Sequence, residues 1–167
     1  MVDFGKLAEQ YKKELLENVL PFWLEKSQDR QHGGYYTCLD REGNVFDRDK
    51  FVWLQGREIW MFAMLCNKLG KNEEWLECAV QGADFLKKYG HDGNYNWYFS
   101  LAEDGRPLVE PYNIFSYAFA TMLSDSWDLQ PDARNIATLP EGLSISYCQK
   151  LIIPRADGTR RLREHVI

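Results

Sequence analysis

The sequence of 167 residues lacks several features that would place it in broad classes of protein. The first residues, "MVDFGKLAEQYKKELL", contain no apolar run of signal-peptide length, and no later stretch approaches the length of a membrane span. There is no block of Lys and Arg, and the net charge is −5, which argues against nucleic acid and anionic membranes as partners. We therefore expect a cytoplasmic protein of about one domain.

Cysteine and histidine are also scarce. The four cysteines form no C-x-x-C pair, and no signal peptide directs the chain to an oxidising compartment. We expect reduced thiols rather than disulfides or zinc ligands at Cys38, Cys66, Cys78 and Cys148. Aromatic residues, by contrast, make up 14% of the chain, including six Trp and nine Tyr, which suggests a cleft that binds a ligand with flat apolar faces.

The spacing of apolar residues predicts helices alternating with β-hairpins. The predicted helices are 3–26, about 51–69, 72–89 and 111–122, and the predicted hairpins are 33–48 and 96–110. Two glycines in the hairpin turns, Gly43 and Gly105, lie 62 residues apart, and the same offset relates Trp53 to Phe115. The repeated unit favours an all-α fold: a partial (α/α)6 barrel, or α/α toroid, with short β-hairpins on one rim. The alternative is an irregular helical domain.

Arg57 lies in the middle of "FVWLQGREIWMF", a helix that is apolar almost all round. In a protein core, its permanent charge would require a buried carboxylate. In a wet central cavity, its fixed donors beside Trp53 and Trp60 would suit a sugar, because indole rings stack on the C–H face of a sugar ring. The residues alone leave the sugar cavity and the structural ion pair both open.

The stretch "HGGYYTCLDREGNVFDRDKFVWLQGREIWMF" resembles the N-acylglucosamine 2-epimerase family, also called renin-binding protein. The ordered motifs G-G-[YF]-[YF]-T-C-L-D-R-x-G and [YF]-V-W-L-Q-G-R-x-x-W carry the resemblance, which covers about residues 4–122. It implies an (α/α)6 barrel, a homodimer, and interconversion of N-acetylglucosamine and N-acetylmannosamine. It also implies that no cofactor is required, that ATP is an activator rather than a reactant, and that Arg57 belongs to the active site.

This chemistry assigns a role to Arg57. The sugar opens to its aldehyde, a base removes the C2 proton, and a second group returns a proton to the other face. A fixed cation near O1 would stabilise the charge that develops there, so Arg57 is our candidate catalytic residue. Trp53 and its repeat equivalent Phe115 are expected to line the cavity and bind substrate. Trp60 is a further substrate-binding candidate, for which packing is the alternative. Phe119 is expected to be a packing residue.

The two proton carriers are expected to be histidines, whose pKa lies near neutrality. The resemblance places the catalytic histidines in a C-terminal half that has no counterpart in this sequence. His32 and His91 both precede hairpin strands and are expected to be structural or solvated, and His165 lies in the final segment. None of the three is predicted to be a catalytic base.

Residues 123–167 differ in character from residues 1–122. They show no helical period longer than two turns, contain three prolines and end in a basic stretch. We expect an aberrant tail, the product of a frameshift just after Met122, in which Trp127 and Cys148 have no role. Restoring one base can yield an amphipathic helix end, a glycine stop and the start of another helix. A genuine divergent tail is the alternative, and sequencing the gene would decide between them.

Three functional interpretations stay open. The first is the N-terminal portion of an N-acylglucosamine 2-epimerase that is inactive alone. The second is a fragment of a cellobiose- or mannose-type 2-epimerase, and the form "V-W-L-Q-G-R" favours the N-acyl type over it. The third is a non-catalytic fragment that binds carbohydrate or protein.

Overall fold

The computed structural model of the chain describes residues 2–93 and 96–110, together with Ser116, Ala118 and Phe119. The three isolated residues are helical, in agreement with the helix predicted over 111–122. Phe115 and the predicted tail, 123–167, lie outside the described residues.

The chain begins with a long helical segment whose hydrogen-bonding pattern changes once. Helix α1 spans Phe4–Glu14, a π-helical turn covers Leu15–Val19, and α2 spans Leu20–Lys26. Asp3 caps α1 by accepting two backbone N–H groups with its side chain. The π turn precedes Pro21, which has no N–H to donate and whose ring crowds the preceding turn. The helix predicted over 3–26 is confirmed, but the π turn was not predicted.

The next two helices form a packed pair. Helix α3 spans Val52–Leu69 and α4 spans Glu73–Tyr89. Gly70 ends α3 with a φ of 108°, which favours glycine, and Asn72 caps α4 through a 3.1 Å hydrogen bond from a backbone N–H. The three residues between the helices fold α4 back against α3. Both helices lie within two residues of their predicted bounds.

Two short antiparallel sheets flank the helices. Strands β1 (Cys38–Leu39) and β2 (Val45–Asp47) form the first predicted hairpin. Strand β3 (Lys50–Phe51) pairs with β4 (Ser100–Leu101), which pairs with β5 (Pro107–Val109). Both predicted hairpins are confirmed. The pairing of β3 with β4 was not predicted, and it ties the start of α3 to the second hairpin.

The core lies between α3, α4 and the segments packed over them. Its largest buried apolar side chains include Leu20, Tyr35, Ile59, Phe62 and Trp97. Helix α1 buries none of its side chains, and Phe4 and Tyr11 are 78% and 66% exposed. The described part of the chain is mostly helical with short sheets, as predicted.

Two further expectations concern the described part of the chain. No helix there is both long enough and apolar enough to cross a membrane. Cys38, Cys66 and Cys78 are free thiols, as expected, and Cys148 lies outside the described residues.

Candidate functional site

One side of α3 is left open while the other is buried. Val52, Gln55, Glu58, Ile59, Phe62 and others on the inner side are buried. The open side carries half-buried or exposed side chains at helical spacing: Trp53, Leu54, Arg57, Trp60, Met61, Met64 and Lys68. The sequence is apolar almost all round this helix and left its burial open, whereas these side chains are only half-buried or exposed.

Arg57 lies at the centre of the open side, and its side chain is exposed. None of the ion pairs or hydrogen bonds found among the described residues engages its guanidinium. Within the described residues, the buried structural ion pair is therefore not observed. Five N–H donors instead face outward from a surface rich in Trp and Met.

Trp53 lies one turn before Arg57, and its ring contacts Phe119. The ring centroids are 5.8 Å apart with an interplanar angle of 48°. On the same flank, a Cβ at Gly56 would lie 3.3 Å from both the Cβ and the carbonyl oxygen of Phe119, so the glycine allows a neighbouring helical segment to approach closely. Phe119 is thus a packing residue, as predicted. Trp60 lies one turn after Arg57 and is half-buried.

The buried side of α3 is fixed by Gln55, which is fully buried. Its side-chain oxygen accepts the backbone N–H of Tyr35 at 2.8 Å, and its side-chain nitrogen donates to the backbone carbonyl of Tyr35 at 2.7 Å. The phenol of Tyr35 then donates to the carbonyl of Cys78 on α4 at 2.7 Å. One glutamine and one tyrosine therefore join the segment before β1 to both helices of the pair.

Two glycines make these contacts sterically feasible. Gly34 has a φ of +70°, and a Cβ there would lie 2.6 Å from the side-chain oxygen of Gln55. A Cβ at Gly82 on α4 would lie 2.3 Å from the hydroxyl oxygen of Tyr35. The separate motifs "HGGYYT" and "WLQGR" are therefore parts of one contact, which orients the helix that carries Arg57.

Glu58, the neighbour of Arg57 in sequence, is only 8% exposed. Its Oε1 lies 2.5 Å from the hydroxyl of Ser27, the residue that ends α2. Burial raises the pKa of this carboxyl to about 8, although the contact with Ser27 partly opposes the rise. Of two adjacent ionisable residues, Arg57 is thus exposed and Glu58 is buried.

A second buried polar cluster joins the two hairpins. The ammonium of Lys50 is fully buried, and it donates to Asp29 Oδ2 at 2.7 Å and to the carbonyls of Gly33 and Glu103 at 2.6 and 2.8 Å. Arg48 and the phenol of Tyr36 both contact the Glu103 carboxylate. The cluster fixes the second hairpin against the first.

Charges in this cluster perturb each other. Burial alone would raise the pKa of Asp29, but hydrogen bonds from Lys50 and from backbone N–H groups lower it to about 2. Burial lowers the pKa of Lys50, and the interaction with Asp29 opposes that shift. We assign both groups as charged at neutral pH, because the ammonium has three acceptors within 2.8 Å.

Comparisons with known proteins decide the family. The sequence model described as N-acylglucosamine 2-epimerase (GlcNAc 2-epimerase) matches residues 34–139. The chain belongs to this family. It is 39% identical over 124 residues to the N-acylglucosamine 2-epimerase of Mus musculus and 40% identical over 124 residues to that of Bos taurus, in each case over 71% of this chain. These matches confirm the resemblance seen in the sequence.

Relatives with lower sequence identity include cellobiose 2-epimerases. The enzyme of Bacteroides fragilis is 30% identical over 116 residues, which cover 68% of this chain and 29% of that protein. Among solved structures, a sugar epimerase from a ruminal bacterium superposes with a TM-score of 0.68 at 26% identity, covering 77% of this chain and 33% of the other. The cellobiose 2-epimerase of Bacillus thermoamylovorans B4167 gives 0.70 at 23% identity, over 87% and 36%.

The chain spans about 30% of the length of the curated epimerases it matches. Nothing in the names of the family and these relatives implies a metal or an organic cofactor. Members of the family are sugar 2-epimerases, which are isomerases.

The two described histidines have structural partners. His32 Nδ1 lies 3.2 Å from Asp29 Oδ2. The ring of His91 stands 5.0 Å from that of Trp97 in an edge-on arrangement, and burial lowers its pKa. Among the described residues, we observe no contact between either histidine and the open side of α3. His165 lies outside the described residues.

Asp29, His32 and Glu103 form a group whose side-chain ligand atoms lie within 4.8 Å of one another. The ammonium of Lys50 is already 2.7 Å from Asp29 Oδ2 and supplies the positive charge that this carboxylate requires. The group is therefore better described as part of a buried ion pair than as a metal site. No sequence pattern predicted this pair, because Asp29 and Lys50 are 21 residues apart, with the first hairpin between them.

Proposed function

We propose that this chain forms about one third of an N-acylglucosamine 2-epimerase that interconverts N-acetylglucosamine and N-acetylmannosamine. Its helix pairs would be the N-terminal part of an (α/α)6 barrel, with the open side of α3 facing the central cavity. The proposal is supported by the family membership and by the greater identity to the N-acyl enzymes than to the cellobiose enzymes, 39–40% against 28–30%.

The observation that carries the proposal is the placement of Arg57. Its guanidinium is exposed between two Trp side chains, while Gln55 holds the opposite side of the helix rigidly against Tyr35. A fixed cation on an aromatic surface can bind a ring with hydroxyl groups on its edges and C–H groups on its faces. Trp53 and Trp60 are the proposed stacking residues. Phe115, the proposed equivalent of Trp53 in the repeat, lies outside the described residues.

The chemistry requires Arg57 to act on charge rather than on protons. When a base removes the C2 proton of the open-chain sugar, the electron pair moves toward C1 and negative charge develops on O1. A guanidinium donating to O1 stabilises that charge without losing its own proton. Reprotonation at C2 from the opposite face completes the inversion.

The base and the acid in this scheme are not assigned to residues of this chain. His32 and His91 have the structural contacts described above, and the family resemblance places the catalytic histidines in a portion with no counterpart here. We propose that the chain contributes sugar binding and O1 stabilisation, and that it does not turn over substrate alone.

ATP activation, a homodimer and a cytoplasmic location are further proposals that rest on the resemblance or on composition. The proposed boundary between residues 1–122 and the aberrant tail 123–167 lies outside the described residues, and the family match extends past it to residue 139.

A chimera tests the proposal. Residues 4–122 would replace the matching third of the mouse epimerase, and formation of N-acetylglucosamine from N-acetylmannosamine would be measured. We expect activity in the chimera, and a loss of about 10²–10³-fold in kcat for Arg57→Lys with an unchanged circular dichroism spectrum, because lysine keeps the charge but loses the planar donors. Arg41→Lys, at an exposed hairpin turn, is the matched control.

The intact chain would also be incubated with N-acetylmannosamine in D2O. No deuterium is expected at C2, because the proton carriers are missing. A folded chimera whose Arg57→Lys variant turns over normally would contradict the catalytic role. A folded, inactive chimera that still binds the sugar would favour the non-catalytic binding fragment, and activity on cellobiose alone would favour the cellobiose type.

A further inference from the structure

The hydroxyl of Ser27 has two oxygen neighbours and only one proton. Its Oγ lies 2.6 Å from the backbone carbonyl oxygen of Trp23 and 2.5 Å from Oε1 of Glu58. Both are hydrogen-bond distances, and each needs a proton between the two oxygens. A serine hydroxyl can donate to only one acceptor, and a carbonyl has no proton to give. The second proton therefore has to come from the carboxyl of Glu58.

If Glu58 were ionised, the two short oxygen–oxygen contacts of Ser27 would be unfavourable. Ser27 would then donate to the carboxylate, and its oxygen would face the carbonyl of Trp23 at 2.6 Å with no proton between them. The charge itself would also be poorly compensated, since Glu58 is 8% exposed and has no ion pair with any described cation. A buried carboxylate whose one donor among the described residues is a hydroxyl is costly, whereas a neutral carboxyl is not.

Among the described residues, the groups that face Glu58 from neighbouring elements do not supply a positive charge. Ser27 approaches from the end of α2, Cys78 from α4, and Tyr35 from the segment before β1. Burial raises the pKa values of both Cys78 and Tyr35, and a charge on Glu58 would raise them further, so both are neutral. The charge of Arg30 lowers the pKa of the Cys78 thiol, but no ion pair between Arg30 and Glu58 is found among the described residues.

We propose that Glu58 is protonated in the folded chain at neutral pH, that it donates a hydrogen bond to Ser27, and that folding therefore takes up one proton. The proton joins the end of α2 to the buried side of α3. The elevated pKa described above agrees with this assignment. The inference concerns folding and does not depend on the proposed epimerase function.

The proposal fixes the sign of a pH dependence. Below a pH of about 4.5, Glu58 is protonated in both the folded and the unfolded chain and contributes no slope. Between about 4.5 and about 8, only the folded chain holds the proton, so the folding equilibrium constant falls tenfold for each pH unit. Above that range both states are ionised and the contribution is again level.

Urea unfolding of the full chain across this range tests the proposal. Wild type would be compared with Glu58→Gln, which keeps a neutral side chain with an N–H donor, and with Glu77→Gln, which makes the same substitution at an exposed position on α4. Between about pH 5 and about pH 8, we expect the ratio of the folding equilibrium constant of Glu58→Gln to that of wild type to rise about tenfold for each unit by which the pH increases. The folding equilibrium constant of Glu77→Gln should depend on pH in the same way as that of wild type.

Infrared spectroscopy supplies a second readout. The carbonyl stretch of a neutral carboxyl should be present in wild type and in Glu77→Gln at about pH 7, absent in Glu58→Gln, and lost from wild type above about pH 8. Parallel unfolding curves for wild type and Glu58→Gln would overturn the proposal. If the glutamine variant fails to fold, the wild-type spectrum decides: the band supports protonation, and its absence at about pH 7 overturns it.

Discussion

Replacing Lys50 by methionine is expected to destabilise the chain more than any change at an exposed charge. The ammonium is fully buried and donates to Asp29, Gly33 and Glu103. With methionine at this position, the Asp29 carboxylate loses its cation, and the backbone carbonyls of Gly33 and Glu103 lose the hydrogen bond from the ammonium. Removing one partner of a buried ion pair costs about 3–5 kcal/mol. A typical domain has a stability of about 5–15 kcal/mol, so the loss is a large part of the total.

A matched exposed pair makes the magnitude interpretable. Arg48 contacts the carboxylate of Glu103, but its side chain is 59% exposed. Exposed ion pairs contribute about 0–1 kcal/mol, so Arg48→Met should cost no more than about 1 kcal/mol. Urea denaturation followed by tryptophan fluorescence would measure both variants.

A double-mutant cycle separates the ion pair from the loss of the side chain. Combining Lys50→Met with Asp29→Asn removes the uncompensated carboxylate, so we expect the double variant to be less destabilised than the sum of the two single variants. If Lys50→Met costs no more than Arg48→Met, or if the two changes are additive, the argument for a charged buried pair is wrong.

The same pair predicts a response to acid. The pKa of Asp29 is lowered to about 2 in the folded chain from 3.8. Because this pKa is lower in the folded than in the unfolded chain, the ionised Asp29 stabilises the fold. That stabilisation is fully present above pH 3.8 and is lost as the pH falls toward about 2. The Lys50→Met variant should lose most of this contribution and so show a weaker dependence on pH in that interval.

Two other expectations follow from the fold. Gly34→Ala should destabilise the chain by more than about 1 kcal/mol in the same denaturation assay, because its φ is +70° and a Cβ would lie 2.6 Å from the Gln55 oxygen; an unchanged midpoint would contradict the contact. The isolated chain should associate and bind an apolar dye, because α1 exposes Phe4 and Tyr11 and buries no side chain. Phe4→Ser should reduce the dye signal, and a monodisperse monomer without dye binding, by sedimentation, would refute this prediction.

Local sequence was sufficient to predict most of the secondary structure. Apolar spacing and glycine stops located α3 and α4 to within two residues, because the pair buries a continuous apolar surface and ends at residues that favour termination. The π turn was missed because it depends on how the chain accommodates one proline, Pro21. The pairing of β3 with β4 was missed because it joins residues about 50 apart in sequence, from Lys50 to Leu101.

The sequence by itself determined the helices and hairpins of the described residues and the family, and it singled out Arg57 as a candidate. Only the tertiary structure decided which of two neighbouring ionisable residues is exposed. Arg57 and Glu58 are about 100° apart on a helix that is apolar almost all round, so periodicity could not assign a buried side. The packing of α2 and α4 against α3 assigned it, burying Glu58 beside Ser27 and leaving Arg57 open, because solvent exposure depends on neighbours that are distant in sequence.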